Sequence, residues 1–319
     1  MLSFVLPIFA VILTGYLFAR TRVIDKAGTR LLNDYVLFVA LPALLFIAVA
    51  RADPSELRQW DFMGATLIGI AVAFLAGIAA IRATGVRWPS ASIPAMAASY
   101  GTTGYMGVPL VIAVLGAPAA VPAAIATILH NIPVIIAVIL AHDLFAQRNG
   151  GGGGGGLTAI GGALKTTLTN PLTVAVVAGA IVSFSGLTLP DSVARFADFL
   201  GAAAGPSALF ALGLGLAQLD AAKLRDVARV FAILPLIAIK VLLQPLVTLL
   251  AGLYLFGMEL RDLWFVCAVV MAAQPIGAGV FVFAAKYDYF EDETTIAIIA
   301  SLLVTLITLP LLLAWLVVG

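Results

Sequence analysis

The chain has 319 residues, of which 63% are hydrophobic and only 10% are charged, and its mean hydropathy is +1.14. Soluble domains carry about 25% charged residues, so this composition excludes a water-soluble globular protein. The net charge of +1 provides no basic surface for a nucleic acid. The single cysteine, Cys267, excludes an intramolecular disulfide and a thiolate metal site. The sequence therefore predicts an integral membrane protein without metal or cofactor.

Apolar runs of about 20 residues indicate membrane-spanning helices, because a β-barrel would show alternating segments of about 10 residues. Ten such spans are predicted, which makes the fold class an all-α polytopic membrane protein. In chain order they are Leu2–Ala19, Leu31–Ala50, Phe62–Ile81, Ile93–Leu115, Val121–Phe145, Leu172–Leu187, Phe199–Leu219, Val230–Phe256, Leu263–Ala285 and Thr294–Val318. Glycine and proline interrupt the fourth and ninth spans, so these two are expected to be broken.

Basic residues divide unequally between alternate loops. One set of loops holds twelve of the 17: Arg20, Arg22, Lys26, Arg30, Arg82, Arg87, Arg148, Lys165, Lys223, Arg225, Arg229 and Lys286. The other set holds four: Arg51, Arg58, Arg195 and Arg261. The positive-inside rule places the first set in the cytoplasm and both termini outside it. We therefore expect a multi-pass protein of the cell inner membrane whose first span is a retained helix rather than a signal peptide.

Seven consecutive glycines at 150–156 predict a flexible cytoplasmic linker between two groups of five spans. The expected boundaries are 1–145 for the first repeat, 146–165 for the linker and 166–319 for the second repeat. The two halves show related segments, such as Pro42–Phe46 and Pro206–Phe210. An odd number of spans in each half gives the two copies opposite orientations. Inverted repeats with broken helices at corresponding positions indicate a secondary transporter whose site lies at the membrane midplane.

The glycine and proline clusters of the fourth and ninth spans predict the site. If the helices unwind near Pro109 and Pro275, two helix N-termini meet near the membrane centre, and their N–H groups favour an anion such as a carboxylate. The alternative is tight helix packing through small residues. The predicted substrate-binding residues are Thr102, Thr103, Gly104, Tyr105, Asn131, Lys240, Gln274, Gly277 and Gly279, with Pro109 and Pro275 as the crossover prolines.

Lys240 is the basic residue that lies deep in a span. Because an ammonium group is costly in lipid, it needs a partner or a wet cavity. Either it pairs with helix-end carbonyls or a carboxylate, or it attracts an anionic substrate. His130 and Asn131 leave a similar choice between helix–helix hydrogen bonding and a proton relay or substrate contact.

Several motifs resemble those of the auxin efflux carrier family, which includes plant auxin exporters and bacterial malonate- and malate-type carriers and lies within the bile acid/sodium symporter-like superfamily. Val39–Phe46 is similar to its second helix, Gly104–Leu110 to its fourth-helix motif, and Gln274–Pro275 followed by Val280–Ala284 to its ninth. The family commonly has asparagine at the positions of Thr102 and Gly279.

The resemblance implies two inverted five-helix repeats whose fourth and ninth helices cross at their prolines, with the substrate beside the crossing. It also implies a scaffold of helices 1, 2, 6 and 7, which mediates a homodimer, and a moving transport domain of helices 3–5 and 8–10. The expected partners are the lipid bilayer, a small organic anion and a second copy of the chain.

These observations predict a secondary transporter of a small organic anion, a carboxylate, that works by elevator-type alternating access. One alternative is an ion-coupled carrier of a neutral or bile-acid-like solute, although spans four and nine contain no acidic residue. A second alternative is a membrane sensor that binds a solute without moving it. An enzyme is not expected, because His130 has no acid or nucleophile at catalytic spacing in its own span.

Overall fold

The structure, a computed structural model, describes residues 2–148, 165, 169–218 and 227–318. These residues form helices and no strand. The helices are α1 Leu2–Arg20, α2 Lys26–Arg51, α3 Trp60–Arg82, α4 Ser92–Ala97, α5 Thr103–Leu115, α6 Ala120–Arg148, α7 Pro171–Ser185, α8 Asp191–Ala217, α9 Arg229–Leu255, α10 Leu263–Ala272, α11 Gly279–Lys286 and α12 Glu291–Val317. The glycine run at 150–156, and with it most of the predicted linker, lies outside the described residues.

Six of the helices are long and apolar enough to cross a membrane, namely α2, α3, α6, α8, α9 and α12. Each coincides with a predicted span, so the prediction of an all-α membrane protein is confirmed. The first and sixth predicted spans correspond to the shorter apolar helices α1 and α7. The fourth and ninth are each divided in two, as their glycine and proline content led us to expect. The total of ten spans in two inverted repeats stays a prediction.

The first predicted span packs backbone to backbone against the seventh. A methyl group on Gly15 of α1 would overlap the carbonyl oxygen of Phe210 in α8, and one on Gly213 of α8 would overlap that of Ile12 in α1. Small residues permit such close approach of two helices. In lipid, this close packing, and not hydrophobic burial, drives helix association. The pair α1–α8 is therefore fixed by glycines on both helices.

Glycines also join α2 to α7 and α8. A Cβ on Gly179 of α7 would lie 2.7 Å from the carbonyl oxygen of Phe46, and one on Gly201 of α8 would lie 2.9 Å from the Cα of Leu44. The predicted spans one, two, six and seven are thus connected through the pairs α1–α8, α2–α7 and α2–α8. That these four helices form a scaffold stays a prediction.

The helix α3 packs against α9 and α4. A methyl group on Gly69 of α3 would overlap the hydroxyl of Thr248 in α9, and a Cβ on Gly77 would lie 2.9 Å from the Cα of Ala95 in α4. This packing holds the middle of α9 beside the broken fourth span.

Three prolines inside helices α2, α5 and α9 share one local structure. Five-residue π-helical segments lie at 36–40, 103–107 and 239–243, and each ends two residues before Pro42, Pro109 or Pro245. Proline has no N–H and its ring clashes with the carbonyl four residues earlier. A wider π turn moves that carbonyl away, so the helix continues through the proline instead of ending there.

Candidate functional site: the crossing of two broken helices

The two broken spans cross and hydrogen-bond to each other where they lose their helical structure. The fourth breaks between α4 and α5, the ninth between α10 and α11, and Gly101 pairs with Ile276 as an antiparallel bridge. The N–H of Thr102 donates to the carbonyl of Pro275 at 3.0 Å, and the N–H of Gly277 donates to the carbonyl of Tyr100 at 3.1 Å. Backbone groups must be paired inside the membrane, so each extended segment supplies the partners that the other has lost.

Pro109, predicted as a crossover proline, lies outside the segment that forms this crossing. Pro109 lies eight residues after Gly101, inside the continuous helix α5. The π turn before it absorbs the missing N–H, which is why the helix does not break there. Pro275, in contrast, lies directly in the crossing, and its carbonyl accepts the hydrogen bond from Thr102.

The aromatic ring of Tyr100 fills the crossing, and two of the predicted glycines make room for it. A Cβ on Gly277 would lie 2.7 Å from the Tyr100 ring, and one on Gly279 would lie 2.8 Å from its hydroxyl oxygen. Tyr100 was not among the predicted residues, because no local pattern distinguishes it from the neighbouring Tyr105. Ser301 of α12 was not predicted either, and its hydroxyl accepts a hydrogen bond from the N–H of Ile276 at 3.1 Å.

Gln274 lies at the centre of the crossing and is fully buried. Its side-chain amide Nε2 donates to the carbonyl of Val270 at 3.0 Å, whereas its Oε1 has no partner among the described residues. Cβ atoms on Gly101 and Gly107 would lie 3.4 and 3.2 Å from the Gln274 side chain. Gln274, which was predicted to contact the substrate, therefore has one buried acceptor, Oε1, that is available to a ligand.

The three predicted residues at the start of α5 face different surroundings. Thr103 is buried, and its hydroxyl has no partner within the described part of the chain. Gly104 instead packs against Leu172 of α7, 2.7 Å from where its Cβ would lie. The hydroxyl of Tyr105 donates to Oδ1 of Asn33 in α2, so it points away from the crossing.

Lys240 reaches the crossing from α9. Its side chain is fully buried, and its Nζ donates to the carbonyl of Ala272 at 2.6 Å. A Cβ on Gly101 would lie 3.2 Å from both Cε and Nζ of Lys240, so the ammonium is adjacent to the crossing backbone. Lys240 thus makes the helix-end contact that was one of its two predicted roles, and its position also permits the other.

His130 and Asn131 lie in the middle of α6. The Nδ1 of His130 is 2.8 Å from the carbonyl of Ala126, one turn earlier on the same helix. Its Nε2, and the Oδ1 of Asn131, are buried without a partner in the described residues.

Two helices begin at the crossing, as the anion prediction requires. The N–H groups of Thr103 and Gly104 at the start of α5, and of Gly279 at the start of α11, have no acceptor among the described residues. Unpaired N–H groups at a helix N-terminus carry positive partial charge. The crossing therefore combines open backbone donors with the Lys240 ammonium.

A polar cavity of about 840 Å³ lies on the other side of the Tyr105–Asn33 contact. It is formed by the first turns of α2 and the last residues after α8, and its lining includes Lys26, Arg30 and Gln218. Gln218 donates to the hydroxyl of Thr29 across this cavity at 2.7 Å. The lining thus combines the basic side chains of Lys26 and Arg30 with the acidic side chain of Asp34.

Comparison with known proteins identifies the family. A family model described as "Membrane transport protein" matches residues 1–153 and 159–313, which is nearly the whole chain. The chain belongs to this family, which is auxin efflux carrier-like. The resemblance read from the sequence motifs is therefore confirmed, and the function is membrane transport.

Two curated proteins are similar to this chain over nearly its whole length. A protein of Rhizobium meliloti named "Putative malonate transporter" is 31% identical over 95% of this chain and 92% of its own length. A protein of Escherichia coli K12 named "Uncharacterized transporter YfdV" is 24% identical over 96% and 94%. The similarity thus extends over both halves of the chain and over both broken spans.

Proposed function

We propose that this transporter carries a small organic anion, a carboxylate, and that malonate is the first compound to test. The observation that carries the proposal is the charge balance at the crossing. Lys240 is fully buried, and no Asp or Glu is among the buried residues of the described chain. A buried ammonium without a carboxylate partner is costly, and an anionic substrate would supply the missing charge.

The open hydrogen-bonding groups suit the same ligand. Lys240 uses one of its three N–H donors on Ala272 and has no other acceptor among the described residues. The N–H groups at the start of α5 and the hydroxyl of Thr103 add donors nearby. A carboxylate accepts several such hydrogen bonds, and charge-assisted ones are the strongest. The name of the Rhizobium relative agrees with this chemistry.

We further propose that the carrier works by elevator-type alternating access. The contacts among α1, α2, α7 and α8 support a scaffold of these helices, and the remaining helices hold the crossing and Lys240. In this proposal the chain is a homodimer in the inner membrane with both termini outside the cytoplasm, and its two halves are inverted repeats.

The test is uptake of labelled malonate into proteoliposomes, compared with other mono- and dicarboxylates. Lys240→Gln should weaken malonate binding by about tenfold or more, because a charge-assisted hydrogen bond contributes roughly 1.5–3 kcal/mol. The matched control is the same substitution at Lys286, which is exposed at the end of α11. No uptake of any carboxylate by the wild-type chain would refute the anion, and normal malonate affinity in folded Lys240→Gln would refute the role of Lys240.

A further inference from the structure

The C-terminal end of α10 is buried, so its carbonyl groups need donors within the chain. The carbonyl of Val269 accepts from the N–H of Ala273, that of Val270 from the side chain of Gln274, and that of Met271 from the N–H of Gln274. The next carbonyl, that of Ala272, accepts from Lys240. Three carbonyls are therefore satisfied by the residues that follow the helix, and the fourth by an ammonium from another helix.

The end of a helix carries negative partial charge, which a cation stabilises. At the end of α10 the cation is the Lys240 ammonium, 2.6 Å from the Ala272 oxygen and fully buried. A dissolved cation at the same carbonyl would meet a like charge at hydrogen-bond distance in a water-poor site, where repulsion is strong. The described residues place no buried carboxylate here to hold such an ion.

The backbone around Lys240 leaves room for its side chain. Gly101 presents no Cβ to it, and a Cβ there would lie 3.2 Å from both Cε and Nζ of Lys240. Lys240 itself lies in the π-helical segment 239–243 that precedes Pro245. The wide turn and the glycine together let a long cationic side chain reach a helix end that belongs to the broken ninth span.

We infer that Lys240 is a tethered cation that takes the place of a dissolved coupling cation at the end of α10. Transport should then require neither sodium nor potassium. This inference deepens the proposed function, because the cation that neutralises the helix end also faces the substrate site. In this role Lys240 positions the crossing by holding the end of α10, and it does so whether or not a substrate is bound.

The first experiment needs no variant. Malonate uptake by the wild-type chain in proteoliposomes is measured with sodium, potassium or choline as the sole monovalent cation on both sides, at equal ionic strength. The same initial rate in all three supports the inference. A rate that depends on sodium or potassium overturns it.

The second experiment removes the ammonium and returns it. Lys240→Ala leaves a space for propylammonium, whereas Lys240→Met fills the space without a charge. Purified Lys240→Ala should melt at a lower temperature than the wild type, and propylammonium should raise the melting temperature of Lys240→Ala and not that of Lys240→Met. Propanol, which has similar size and no charge, is the control. An Ala variant that propanol stabilises equally, or that propylammonium does not stabilise, overturns the inference.

The two experiments separate this inference from the proposed substrate. If the wild-type chain moves no carboxylate, the proposed function fails, and the melting temperatures still decide whether Lys240 is a structural cation. If carboxylates are transported but only with sodium, the proposed substrate stands and the tethered cation is refuted.

Discussion

Adding one methyl group to Gly277 should open the crossing. A Cβ at this position would lie 2.7 and 2.8 Å from two carbon atoms of the Tyr100 ring and 3.0 Å from the carbonyl carbon of Gly101. The ring is the end of a side chain and can turn, but the Gly101 carbon is backbone. We therefore expect Gly277→Ala to push the two extended segments apart.

The cost can be bounded from the contacts that are lost. Overpacking of one methyl group in a close-packed region costs about 1–3 kcal/mol. Separating the segments also weakens the Thr102–Pro275 and Gly277–Tyr100 hydrogen bonds, each of which contributes about 0.5–1.5 kcal/mol. Together the expected destabilisation is about 2–6 kcal/mol, a large part of the roughly 5–15 kcal/mol of a typical protein.

The assay is the melting temperature of the purified chain in detergent, followed by malonate binding. The control is Gly205→Ala in α8, where a Cβ meets nothing within 4 Å and should not lower stability. Tyr100→Leu combined with Gly277→Ala should restore only part of the loss, because the backbone contact with Gly101 persists. Wild-type stability and binding in Gly277→Ala would show that the crossing is not tightly packed and would refute this reasoning.

Three further predictions follow from the same structure. Pro275→Ala should reduce transport steeply and Pro109→Ala should not, because only Pro275 lies in the crossing; equal losses measured in proteoliposomes would contradict the geometry. Gly213→Ala should lower the melting temperature, because the added methyl group separates α1 from α8. The control Gly215→Ala, whose Cβ meets nothing within 4 Å, should leave the melting temperature unchanged or higher. Equal effects of the two changes would show that α1 and α8 are not in backbone contact. A reporter inserted at 150–156 should be cytoplasmic and one fused after the C-terminal residue should be outside, and the reverse pattern would overturn the topology.

Much of the fold could be predicted from hydropathy alone. Each of the six long apolar helices matches a predicted span, because about 20 apolar residues are needed to cross the hydrocarbon core. The start of α8 was missed by eight residues, since Asp191–Asp198 is amphipathic rather than apolar and still continues the helix. A hydropathy profile finds the part of a helix in lipid and not the turns that extend beyond it.

The site was predicted less well, and the prolines show why. Pro109 and Pro275 have the same sequence signature, glycines with a proline in an apolar run, yet only one of them breaks a helix. The break of the fourth span falls at Tyr100–Thr102, where no proline stands. It depends on pairing with the ninth span, a contact between residues more than 170 positions apart, which no local pattern encodes.

Both C-terminal and N-terminal helix ends lie at the crossing. Lys240 determines which of these ends keeps backbone groups without a partner. The helix α10 ends there with carbonyl groups, which favour a cation, and α5 and α11 begin there with N–H groups, which favour an anion. Because Lys240 already occupies the Ala272 carbonyl, the carbonyl end is satisfied from within the chain. The groups left without a partner are then the N–H donors and the other N–H groups of the ammonium, which attract an anion, and the Oε1 of Gln274, which needs a donor. In the proposed mechanism, a single buried lysine thus accounts for a crossing that selects anions without a bound cation.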